Sequence, residues 1–192
     1  MTIRKHTVAA AVVGILASAG ASAAPIQWVG NGHWYEYVND QLTAPEAFAA
    51  AAARNFMGMA GYLATVTSAD ENRFVSSSVA DGPLAWLGGS DAGAPVNFWT
   101  WRVCPEAGQA FTFASWGGGE PNNCCGGEDY VHTNWGDLGL WNDHGEPGNP
   151  GQRNGYVVEY SERVPPPVPE PASLALLGLG LAGLGLSVQR RK

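Results

Sequence analysis

Between residues 25 and 169 the chain has no lysine and only five arginines, against sixteen acidic residues, a formal balance of −11. Such a deficit of cations excludes a nucleic-acid-binding surface, because phosphates need basic partners. Half of the ten basic residues in the 192-residue sequence stand at its two ends: Arg4, Lys5, Arg190, Arg191 and Lys192. Catalytic apparatus is scarce as well. No Ser or Cys nucleophile stands in a recognisable constellation with a base, and His132 and His144, which flank acids, are ordinary loop histidines on this reading.

The two ends read as addressing signals. Arg4 and Lys5, an apolar stretch and the small residues Ala21-Ser22-Ala23 form a secretory signal peptide over 1–23. An N-terminal membrane anchor is the alternative, and the small-residue exit speaks against it. At the other end, residues 163–171 hold the proline-rich linker VPPPVPEP, expected to be extended. Residues 172–192 then give an uncharged stretch, Ala172 to Val188, and a basic tail. That stretch is a short membrane span whose basic end stays cytoplasmic. Pro169-Glu170-Pro171, the apolar span and the basic cluster resemble the PEP-CTERM sorting tail of bacterial proteins handled by an exosortase. The resemblance implies a secreted protein at the envelope surface of a Gram-negative-type bacterium, membrane-held before processing. A plain stop-transfer anchor remains the alternative.

Three cysteines occur, Cys104, Cys124 and Cys125. A secreted domain favours disulfides, so Cys104 is expected to pair with one of the adjacent two. Metal binding by the adjacent pair is the alternative, though it lacks a second Cys/His pair at ligand spacing.

The middle of the chain is long enough for one domain with its own core, placed over 26–162. Ile26 to Val38 reads as two short strands around the turn Gly30-Asn31-Gly32, with His33 at the surface. Thr43-Ala44-Pro45-Glu46 is a capping box opening an alanine-rich helix to about Phe56. Leu63 to Val66 reads as a strand. Ser68-Ala69-Asp70-Glu71 caps a second helix to about Val79, with Phe74 and Val75 inward. Val96 to Val103 reads as a strand with Trp99 and Trp101 on one face. Of the eight tryptophans, Trp135, in a glycine-bearing loop, is the best candidate for exposure.

From Glu120 to Asp143 the chain gathers Glu120, Asn122, Asn123, Glu128, Asp129, Asp137, Asn142 and Asp143 with no lysine or arginine among them. Hard oxygen donors at this density repel one another unless a cation neutralises them. Carboxylates and amides suit Ca²⁺ better than zinc, which prefers nitrogen and sulfur. The glycines between them let the backbone fold donors together. A polar surface loop is the plainer alternative.

Glu120-Pro121-Asn122, then Glu128, then Trp141-Asn142-Asp143 resembles the calcium-dependent sugar site of C-type lectin-like domains, whose mannose-type members carry E-P-N, a following glutamate and W-N-D. Trp86-Leu87-Gly88-Gly89 is similar to the family's W-I-G-L core motif, and Gly155 to Tyr160 to its closing strand. Trp86, Trp101, Trp116 and Trp141 then match buried family positions. The resemblance implies an α+β fold of two helices with small antiparallel sheets and a long calcium-binding loop. It implies calcium ligation by Glu120, Asn122, Glu128, Asn142 and Asp143. The first four would also meet the vicinal hydroxyls of a mannose- or glucose-type glycan or exopolysaccharide, and a cis Pro121 would turn Glu120 and Asn122 towards the same ion. A second calcium site, matched by Asp91, Asn123, Glu128 and Asp129, has Pro95 where a carboxylate belongs and is expected to be weak or empty. The family's usual disulfides are missing: Tyr130 and Val158 stand at cysteine positions, so their packing replaces the staples.

The function expected is therefore a secreted, calcium-dependent carbohydrate-binding protein and not an enzyme. A glycosidase carboxylate dyad would leave Asn122 and Asn142 unexplained. The rival is a structural or protein-binding module of the same fold in which calcium only stabilises the loop.

Overall fold

Residues 24–162, except residue 104, are described in a computed structural model. The signal peptide read over 1–23, the linker 163–171, the span and tail 172–192, and Cys104 lie outside the described residues. Among the described residues no helix is long and apolar enough to cross a membrane.

The turn residues near the start make the hairpin they predict. Strand β1 (Ile26–Gln27) pairs antiparallel with β2 (Trp34–Leu42), Ile26 opposite Tyr35. Helix α1 (Ala44–Ala52) opens with Pro45 in its first turn and the Thr43 amide donating to Glu46 Oε2 at 3.0 Å. It stops at Ala52, short of the expected Phe56. Met57 and Gly58 both take positive φ, 51° and 84°, and turn the chain between β3 (Asn55–Phe56) and β4 (Met59–Leu63). The Phe56 ring packs on Trp34 and Tyr160, so tertiary contacts draw this residue out of the helix. The strand expected over Leu63 to Val66 accordingly lies earlier, in β4.

Helix α2 (Ala69–Phe74) begins at Ser68, whose Oγ accepts the Glu71 amide at 3.3 Å, and continues as a π-helical turn, Val75–Val79. Val75 is buried and Phe74 half-buried, as expected. The expected capping box is only half made. Glu71 turns inward, where its carboxylate accepts from Thr67 N at 2.7 Å and Tyr35 OH at 2.6 Å. His33 is likewise not a free surface residue: its Nδ1 meets Glu159 Oε1 in a close hydrogen bond. That bond raises its pKa above the usual 6.5.

Strand β5 (Ala85–Ser90) is buried throughout. The strand expected over 96–103 shrinks to β6 (Thr100–Trp101), since Asn97 takes a φ of 63° and breaks extended geometry before it. Trp99 and Trp101 are nevertheless both buried. After a short 3₁₀ turn, Cys124–Gly126, come β7 (Glu128–Thr133), β8 (Trp141–Pro147) and β9 (Asn154–Tyr160).

The strands form one mixed sheet with the order β1-β2-β9-β5-β7-β8. β9 lies at its centre and is buried at every residue, Asn154 and Glu159 included, as expected of a strand covered on both faces. β2 runs antiparallel along one edge of it, from Trp34↔Tyr160 to Leu42↔Asn154. Its other edge is shared by β4, antiparallel, and β5, parallel. The parallel pairing merges the expected small antiparallel sheets into one.

Two apolar clusters flank this sheet. Leu87, Trp99, Trp101, Val131 and Trp141 centre one, with Trp116 packed against it. The other joins Ala44, Ala47 and Ala51 of α1 to Leu63, Trp86, Tyr156, Val158 and Tyr160. Each large side chain buried there contributes about 1.5–3 kcal/mol. Val158 is fully buried, and Tyr130 packs against the same cluster with its ring on Phe48. These two positions thus carry packing where covalent staples were missing.

Candidate functional site

The loop that carries the acidic and amide residues is tied to β8 before it reaches them. Gly117 N donates to Trp141 O at 2.8 Å and Trp141 N to Ser115 O at 2.7 Å, a short parallel bridge. Trp141 is wholly buried, and beyond this bridge the loop carries Glu120 near the Asp143 carboxylate of β8. The Glu120–Pro121 peptide is cis.

Asp143 organises the turn that follows. Its buried carboxylate accepts the amides of Asn122 at 3.0 Å and Asn123 at 2.7 Å. The next amide, Cys124 N, is shared between Asn122 Oδ1 at 2.8 Å and Glu128 Oε2 at 3.0 Å. Asn123 Oδ1 accepts Glu128 N at 2.8 Å. Asn122, Glu128 and Asp143 therefore meet in one turn, with Glu120 close enough to feel the charges of Asp143 and Glu128. Asn142 stands beside them on β8 with its amide nitrogen 3.2 Å from His132 Nε2.

Two oxygens in this group are buried without a hydrogen-bond partner among the described residues: Glu120 Oε2 and Asn142 Oδ1. Burial pushes the Glu120 carboxyl above the usual carboxylate range, and the neighbouring Asp143 and Glu128 charges push it further. Carboxylates crowded in this way disfavour ionisation unless a cation is close. The donor set is all oxygen, and an oxygen that already accepts one N–H keeps a second lone pair. On that chemistry Glu120, Asn122, Glu128, Asn142 and Asp143 fit a hard divalent cation. Among the described residues no group of three or more His, Cys, Asp or Glu side chains converges to hold an ion by itself.

Sequence reasoning missed two partners of Glu128. His144 Nδ1 lies 2.7 Å from Glu128 Oε1, and Asn149 Nδ2 donates to the same oxygen at 2.8 Å. The signal was available for His144, because strand alternation places it on the Asn142 side of β8. Asn149 lies beyond a second cis peptide, Glu146–Pro147, that nothing in the local sequence marks. His132 also gains a place: it is fully buried against Trp86, and burial lowers its pKa to about 4, with His144 adding to the effect. It is neutral there at physiological pH.

The cysteine expectation is corrected. Cys124 is bonded to its neighbour Cys125, not to Cys104. Asn123 and Cys125 take left-handed φ of 47° and 62°, which brings adjacent side chains together within this turn. The residues matched to a second calcium site fall nearby. Asp91 Oδ2 accepts Asn97 N at 2.8 Å, Asp91 N donates to the Asp129 carbonyl at 3.2 Å, and Asp91 Oδ1 has no partner among the described residues. Burial raises the Asp91 pKa first, and the charges of Asp129 and Asp143 add to it.

Solved structures share this architecture. The C-type lectin CEL-I from Cucumaria echinata is 21% identical with a TM-score of 0.58, over 72% of this chain and 97% of that one. The domain has the C-type lectin fold. The cow C-type carbohydrate-recognition domain of CD23, solved in the presence of a GlcNAc2Man3 oligosaccharide, has the same lectin fold at 20% identity and a TM-score of 0.56, covering 74% of this chain and 99% of that one. A Ca²⁺-dependent type II antifreeze protein, in its Ca²⁺-free form, has it at 21% identity and a TM-score of 0.55, covering 71% and 97%. By sequence, the chain is 35% identical over 139 residues to halomucin of Haloquadratum walsbyi, covering 68% of this chain and 1% of halomucin. It is 34% identical over 96 residues to ladderlectin of Oncorhynchus mykiss, covering 48% of each. Both matches span less than half the length of the curated relative. Residues 167–192 match the PEP-CTERM protein-sorting motif, which indicates export and sorting to the bacterial cell surface.

Proposed function

We propose that this C-type lectin-fold domain binds carbohydrate through a calcium ion held by Glu120, Asn122, Glu128, Asn142 and Asp143. The observation that carries the reading is the pair of partnerless buried oxygens, Glu120 Oε2 and Asn142 Oδ1, beside the amide-bound carboxylate of Asp143. Bound Ca²⁺ supplies coordination positions for two vicinal hydroxyls. The chain supplies the rest: carboxylates of Glu120 and Glu128 accept hydrogen bonds from those hydroxyls, and the amide nitrogens of Asn122 and Asn142 donate to them. The order Glu120 before Asn122 supports mannose- or glucose-type sugars over galactose-type ones. With the sorting motif, the partner is a glycan or exopolysaccharide outside the cell, and processing falls to an exosortase. The protein is released or held at the envelope surface, and its role is recognition, without catalysis.

Titration calorimetry of the protein with methyl α-mannoside, in calcium and then in chelator, tests this. Heat is expected only with calcium and is lost in Glu120→Ala. Saturating calcium at a hundred times its Kd should stabilise folding by about 2.7 kcal/mol, a gain that chelator and Glu120→Ala both abolish. Calcium binding without a sugar response would transfer the function to a structural or protein-binding role. No calcium response would refute the site.

A further inference from the structure

Trp135 stands apart from the other tryptophans. It is 44% exposed, the one indole among the large exposed apolar side chains of the described residues. Its backbone is nonetheless firmly held. The buried Asn134 side chain donates to Pro83 O at 3.0 Å and accepts Gly139 N at 2.9 Å. Trp135 N donates to Leu140 O at 3.0 Å, and Asn72, from α2, donates to Gly139 O at 2.8 Å. A loop fixed by buried amides while it exposes an indole is pre-organised for contact, which reduces the ordering cost of binding.

Its position is specific. A Cβ built on Gly117 would lie 3.5 Å from Trp135 Cδ1 and 3.7 Å from Glu120 Cγ, so the indole and the Glu120 side chain flank the same glycine. The indole also packs perpendicular to the His132 ring, whose Nε2 is 3.2 Å from the Asn142 amide. Gly117 is followed by Gly118 and Gly119, with open space where side chains at those two positions would project. The result is a stretch of bare backbone with the Glu120 side chain on one side of Gly117 and the exposed indole on the other.

We propose that Trp135 is the aromatic wall of the glycan site, stacking on the apolar C–H face of a sugar ring held at Glu120 and Asn142. The ring is either the one whose hydroxyls meet the site or the next along the chain. This rests on the carbohydrate reading above. An indole suits the contact because it combines a large apolar face with a polar edge, and one well-placed aromatic often dominates a binding site.

The test uses the full chain in calcium with methyl α-mannoside and with a mannotriose. Trp135→Ala should weaken one or both by roughly tenfold, while the calcium-induced rise in Tm persists; Trp135→Phe should recover most of the loss. Loss with the monosaccharide places the stacked ring at the ion, and loss confined to the mannotriose places it one unit on. Wild-type and Trp135→Ala proteins that bind both sugars within about twofold would overturn the wall and leave the lectin reading intact. Loss of the calcium response in Trp135→Ala would also overturn it, since the residue would then act only through the loop. A wild-type protein that binds calcium but neither sugar would refute both proposals.

Discussion

Asn72 joins the two halves of the domain, and removing it tests that join. Its Oδ1 accepts Trp141 Nε1 at 2.8 Å, and its Nδ2 donates to Gly139 O at 2.8 Å, 67 residues along the chain. Asn72→Ala leaves a buried indole N–H and a buried carbonyl without partners. Each such orphan costs about 1–3 kcal/mol, so the loss should be about 2–6 kcal/mol, with water entering the vacated space moving it to the lower end. Against total stabilities of about 5–15 kcal/mol this is large. Urea unfolding at constant m-value is the assay. A double-mutant cycle with Trp141→Phe should return a coupling energy of about 1 kcal/mol between the two side chains. A loss below about 1 kcal/mol in Asn72→Ala, or no coupling in the cycle, would refute the claim that this amide bridges helix and loop.

Two further outcomes follow from the same geometry. Gly139→Ala should cost more than Gly136→Ala: both have φ near 78°, but the new Cβ at 139 would stand 2.8 Å from Asn72 Nδ2, whereas 136 meets open space. Comparing their thermal midpoints checks this, and equal losses would count against the close approach. His33 has a pKa raised above 6.5 by its bond to Glu159. Its stabilising contribution is complete below the unfolded value of 6.5 and disappears as pH rises through the folded value. Unfolding free energy should therefore decline from mildly acidic to mildly alkaline pH, and His33→Asn should flatten that decline; an unchanged slope would dismiss the pair.

The parts of the fold legible in the sequence were those fixed by local rules. Thr43, Pro45 and Ser68 announce helix starts because caps act within a turn. Trp86, Trp141 and Val158 announce core. The helix end near Ala52 was not legible, because Phe56 is claimed by Trp34 and Tyr160, both distant in sequence. Nor was the inward turn of Glu71, decided by Tyr35, or the hold of His144 and Asn149 on Glu128. The resemblance of Glu120-Pro121-Asn122 and Trp141-Asn142-Asp143 to lectin-like motifs named the residues of the candidate site, but not that Asp143 secures the turn through the amides of Asn122 and Asn123. Asn72 and Ser76, in the half of the chain before Trp86, line the loop that presents Trp135.

The pairing of β2 with β9 sets Trp34 opposite Tyr160, while β1 folds back on β2 with Ile26 opposite Tyr35. The described chain thus enters and leaves at neighbouring points. A unit with adjoining ends can be spliced into a host loop or strung in series without stretching its neighbours. In halomucin, the stretch similar to this chain makes up 1% of a far longer polypeptide.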